Sequence, residues 1–129
     1  MDILTFFFIF VAIEIFESNW QKSDSLYGLI YNNYLVYKKN IIFFFLLNPG
    51  FIYSIFLIIY LHNNSFLMLS IVGIKFLDIS LKLNIMKKID EEIALEEVIP
   101  NIKMGFIFRY INALIYPLSF ILSENYFNF

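Results

Sequence analysis

Glu14, Lys75, Asp78 and Arg109 each lie inside or against a long apolar stretch of the chain. An isolated charge in hydrocarbon costs about 3 kcal/mol even on lenient insertion scales, so such residues are expected to find one another. Lys75, Asp78 and Lys82 recur at i, i+3 and i+7, one stripe of one helix face, and Glu14 and Glu17 stand one turn apart. The pairing these spacings suggest is Glu14 with Lys75, Glu17 with Lys82 or Arg109, and Asp78 sharing a cation. Three acids and three bases then form a neutral buried layer. Two chemistries fit it. A satisfied ion-pair network would fix helix order and register, and this is the expected role. A carboxylate that is not permanently paired would bind a proton or a cation, which is the chemistry of a small proton-coupled or ion transporter.

The elements that must position these groups read as membrane-spanning helices. The chain has 129 residues, 60% of them hydrophobic and 16% charged, against averages of about 45–50% and 25% in soluble domains. Mean hydropathy is +0.74. Four spans can be drawn, at about 3–20, 41–61, 65–83 and 104–122. Each is about 18–21 residues, enough for a hydrocarbon core of about 30 Å. The expected architecture is therefore an all-α membrane protein, a single-domain four-helix bundle. Counted along the spans, the charges and the break Asn48-Pro49-Gly50 fall at a similar depth, with Asn112 added from the last span. Breaks of that kind line substrate sites in transporters; the plainer reading is a kink, with Gly50 and Ser54 allowing a close helix crossing.

Residues 21–40 form a polar connector laced with Tyr27, Tyr31, Tyr34 and Tyr37, whose half-apolar rings suit an interfacial helix. Residues 84–103 form a second connector. Its Asp90, Glu91, Glu92, Glu96 and Glu97 alternate with Ile89, Ile93, Leu95 and Val98. An amphipathic helix continuing from the third span is expected there, with its acids as a solvated face or a docking surface for a basic partner. Lysine and arginine outside the spans are confined to these two connectors, so the positive-inside rule makes both cytoplasmic and both termini external.

Several classes fall away. A net charge of −2 gives no basic face for nucleic acid. The absence of cysteine excludes thiol catalysis and thiolate metal sites, and His62, the only histidine, sits in a polar turn without a second ligand nearby. No nucleophile with a base and no phosphate loop is present, so the chain is expected to be no enzyme and to need no cofactor. Asp2 stands where a signal peptide would carry basic residues. Scarce alanine beside abundant Ile, Phe, Asn and Lys points to an AT-rich, bacterial genome and hence to the inner membrane. The early Glu14, with Ala12 and Lys22, resembles the first helix of the small multidrug resistance transporters, but only over those positions. Four glycines, long connectors and the pair Lys75 and Asp78 set the chain apart. The expected partners are the lipid bilayer and other membrane subunits or a second copy, with the protein acting as an accessory or scaffold.

Overall fold

Four of the helices start where a short polar side chain satisfies a free N–H group of the first turn. Asp2 accepts from the Thr5 amide and opens α1, Ile3–Gln21. Ser25 caps α2, Leu26–Lys39; Asn40 caps the short α3, Ile41–Leu46; Ser65 caps α5, Phe66–Asp90. Between them α4, Pro49–Leu61, begins on a proline, whose missing N–H costs nothing in a first turn. The last helix, α6, is Phe106–Phe127 and runs through Pro117. The computed structural model describes residues 2–127, and among them it is all-helical, without a strand.

Two expectations are corrected here. Residues 41–61 are not one continuous helix but two, because Pro49 cannot continue a helix and Asn48 adopts a non-helical φ of −119° and ψ of 62°. By length and composition two helices can cross a membrane, Ile3–Gln21 and Phe106–Glu124. Helix α4 is apolar but shorter, and α5 carries Lys75, Asp78 and Lys82 within its apolar part. The acidic connector is also not a continuing helix. Glu92 turns left-handed at φ 63°, the Ile93 amide returns to the Lys88 carbonyl, and α5 stops at Asp90. Beyond it only one 3-10 turn forms, Leu95–Glu97.

Four helices close a ring in which α1 packs on α4 and α6, and α5 packs on the same two from the opposite corner. Helix α2 lies against α1 and α5 at one end. There the two lysine-bearing connectors are stitched together. Leu26 donates to the Ile102 carbonyl, Met104 donates to the Asp24 carbonyl, and the Tyr27 hydroxyl reaches the Ile99 carbonyl at 2.8 Å. At the other end Asn63 ties the α4–α5 turn to α6 through Ser123 and Glu124.

The interior is split along its length. Toward the Asn63 end it is apolar: Phe6, Phe10, Leu57, Met68, Ile71, Tyr116 and Phe120 form one cluster, with the Phe10 ring edge-on to Tyr53 and Phe120. Toward the lysine end it is polar, holding Glu14, Glu17, Ser18, Gln21, Asn33, Asn48 and Lys75, with a smaller apolar cluster of Phe44, Ile79 and Met86 beside it. The outside is the reverse. Exposed large apolar side chains far outnumber buried ones, and Phe8, Ile42, Leu46, Ile59, Phe66 and Phe106 are each more than 60% exposed.

Candidate functional site

The chain runs the same way through α1 and α5, so their polar stripes face each other across the ring in parallel register. On α1 the stripe is Glu14, Glu17 and Gln21; on α5 it is Lys75, Asp78 and Lys82. Both follow i, i+3, i+7. Lys75 reaches across to touch Glu14 Oε1, and its Nζ lies 3.6 Å from Glu17 Oε2. The ammonium also sits 4.3 Å over the Tyr116 ring, a cation–π contact from α6. All three charged groups are inaccessible or nearly so: Glu14 is 0% exposed, Lys75 6% and Glu17 8%.

Asn48, Pro49 and Gly50 belong to this site and do more than kink a helix. Restarting the helix at Pro49 leaves the Gly50 amide without a helical acceptor, and it donates to Glu17 Oε1 at 2.5 Å. A side chain at position 50 would have no room, because its Cβ would lie 2.7 Å from Lys75 Nζ and 2.9 Å from an oxygen of each glutamate. The break is sealed on its other side by Trp20, whose indole N–H donates to the Leu47 carbonyl at 2.7 Å. Asn48 spans it, donating to the Phe44 carbonyl and accepting from Gln21.

The remaining members sort differently from expectation, and Asp78, its side chain 50% exposed, lies outside the buried layer. Lys82 does not reach Glu17. It pairs with Asp78 one turn back at 3.0 Å and donates to Gln21 Oε1 at 2.8 Å. Arg109 joins neither glutamate. It sits in the first turn of α6, where its side chain turns back to Asp24 at 2.5 Å and to the Met104 carbonyl. The stitching of the connectors is what brings Asp24 within reach. Gln21 and Asn33 are the residues that sequence reasoning missed. Gln21 accepts from Lys82 and from Asn33 Nδ2 while donating to Asn48, so one amide links α1, α2, α5 and the helix break. Its spacing from Glu14 and Glu17 was the available signal.

A cavity of about 320 Å³ opens beside this network at the lysine end. Glu17, Lys75, Asp78, Lys82, Arg109 and Asn112 give it polar walls, and Leu81, Ile85, Met104, Phe108 and Tyr116 give it apolar ones. Of the five connector acids, only Asp90 is engaged. The Tyr34 hydroxyl donates to it at 2.7 Å and Lys38 lies 3.0 Å away, and these two hold its carboxyl below the usual range. The same contact raises the Tyr34 phenol and the Lys38 ammonium. Glu91, Glu92, Glu96 and Glu97 are exposed. Among the described residues no group of acids and histidine is arranged to hold a metal ion. Comparison with known protein families, with curated proteins and with solved structures returned no match.

Proposed function

We propose that the chain is a four-span bacterial inner-membrane protein with both ends on the outer side. On this reading it serves, without enzymatic activity, as an accessory or scaffold subunit of a membrane assembly or as a homodimer. The observation that carries the membrane reading is the inverted distribution of polarity, with amides and ion pairs inside and Phe, Ile and Leu outside. The joining of both lysine-bearing connectors at one end supports a cytoplasmic face there, with α2 in the interface. The scaffold role draws support from α3 and α4. Together they present Ile42, Phe43, Leu46, Ile52, Phe56 and Ile59 outward, and the 13 residues of α4 cover about 20 Å of a core of about 30 Å.

Reporter fusions after Asn40, Asn63 and Leu95 test the topology, with inward, outward and inward signals expected. An outward signal at Asn40 or Leu95 would reject it. Purification in mild detergent with mass spectrometry should recover a stoichiometric partner or a dimer; a lone monomer that moves a solute in liposomes would overturn the scaffold reading. One observation favours the second reading, a transporter using Glu14 and Asp78: the cavity reaches the buried ion pairs from the lysine end. Solute would still have to pass the layer of Phe10, Tyr53 and Phe120.

A further inference from the structure

The charged layer is neutral as a list but not as a structure. Asp78 is matched by Lys82, and Arg109 by Asp24 in the connector. What remains in the centre is Glu14, Glu17 and Lys75, two carboxyls against one ammonium. A buried site with one negative charge in excess is expected to take up a counter-charge rather than remain ionised. Nor are the two carboxyls equally served. Glu17 has the Gly50 amide, whereas the fully buried Glu14 has only the Lys75 ammonium against Oε1 and no donor at Oε2. The missing partner of Glu14 is therefore a donor, and the missing charge of the triad is positive. A proton supplies both: on either carboxyl it makes an O–H that the other oxygen accepts. The two groups converge on one spot: an oxygen of each lies 2.9 Å from the same point above Gly50, and both face the Lys75 ammonium.

We propose that Glu14 and Glu17 share one exchangeable proton at neutral pH, and that it comes and goes through the cavity at the lysine end of the bundle. Glu17 lines that cavity, which gives the proton a route. In the other direction Phe10, Tyr53 and Phe120 close the bundle with rings. The groups facing the pair are Lys75, Asp78 and Lys82 from α5, Tyr116 and Arg109 from α6, and the Gly50 amide from α4. Both carboxyls converge on one ammonium, so the proton belongs to the pair rather than to either residue. This assignment is independent of whether the bundle serves as a scaffold or a transporter.

Infrared difference spectroscopy of the full chain in lipid bilayers at neutral pH tests it. Wild-type minus Glu17→Gln, and wild-type minus Glu14→Gln, should each show the loss of one protonated-carboxyl carbonyl band, and that band should shift in D2O. Glu124, buried at the far end, cancels in the subtraction. Glu17→Gln retains the balanced pair of Glu14 with Lys75, so it is the variant expected to fold even if Glu14→Gln does not. Asp78→Asn should keep the band. Absence of the band from both differences, or its loss in Asp78→Asn alone, would overturn the proposal. Filling the cavity with Leu81→Trp should slow the shift in D2O; an unchanged rate would reject the route.

Discussion

At Phe10 the helices of the ring meet through aromatic rings; one turn further along α1, at Glu14, they meet through charge. Both layers are buried and both are closed by residues from three or more helices. They differ in how they fail. A ring that is lost leaves a void, and in the bilayer setting proposed above the lipid is about as apolar as the ring was, so little hydrophobic driving force is forfeited. A charge that is lost leaves its partner buried and alone. The polar layer thus contributes little net stability while it is complete and becomes costly once broken, which makes it better suited to specifying which helix faces which than to adding stability.

The largest expected effect follows directly. Lys75→Met leaves Glu14 and Glu17 without their shared cation and should destabilise the bundle by about 3–5 kcal/mol. Phe120→Ala, one layer away, should cost no more than about 3 kcal/mol, the low end of the range for buried aromatic truncation. Thermal unfolding of both variants in the same detergent makes the comparison. A Phe120→Ala loss larger than that of Lys75→Met would break the distinction between the layers.

Two glycines sharpen it further. Gly50→Ala pushes a methyl into the space held by Lys75 Nζ and both glutamates, and overpacking of that kind costs about 1–3 kcal/mol. Gly73→Ala meets nothing within 4 Å on α5 and should be neutral or stabilising by up to about 1 kcal/mol, the ordinary gain at a helix interior. Membrane abundance alone should separate the two. Equal behaviour would mean that the α4 start is not held against the carboxylates.

The contrast between layers also marks what a sequence can disclose. Glu14 and Lys75 were legible as partners because each charge in an apolar run advertises its depth, and depth along straight helices is countable. The helix break was legible too, since proline carries its own backbone rule. Arg109 was misplaced because depth says nothing about how connectors fold back. Only the stitching of Asp24 to Met104 gives it a nearer acid than Glu17. Lys82 was misassigned because Gln21 and Asp78 together satisfy it locally. Gln21 and Asn33 escaped notice because an uncharged amide in a polar connector carries no penalty to flag it. The acidic run was read as helix from its apolar spacing, but the reversal at Glu92 depends on a left-handed backbone that residues other than glycine adopt only when context demands it.

At the far end of the bundle a single amide does the work that the polar layer does at the other. Asn63 donates to Ser123 Oγ at 2.9 Å and to the buried Glu124 at 2.6 Å, and its own carbonyl accepts from the Ser65 amide. Asn63→Ala removes the donor from Glu124 and should cost about 1–3 kcal/mol, the desolvation of an unsatisfied buried group. The loss should be smaller than for Lys75→Met. A larger one would shift the bundle's weak point from the ion pairs to this turn.

The smallest effect belongs to the exposed ion pair at the ends of α2 and α5. Asp90 holds the end of α2 to the end of α5 through the Tyr34 hydroxyl and Lys38. Because these partners lower its carboxyl, the contact contributes fully above the ordinary carboxylate range and fades as the pH falls through the lowered value. Exposed pairs of this kind are screened by salt and contribute little to global stability. The readout is therefore local: hydrogen exchange of the amides at the end of α2 should quicken in Asp90→Asn, in high salt and in acid, while the rest of the bundle keeps its protection. Acid protonates Asp90 and should have the same local effect as the substitution, so Asp90→Asn should erase the pH dependence at the end of α2. If that dependence persists in the variant, another group governs the docking of α2, and the exposed pair is incidental to it.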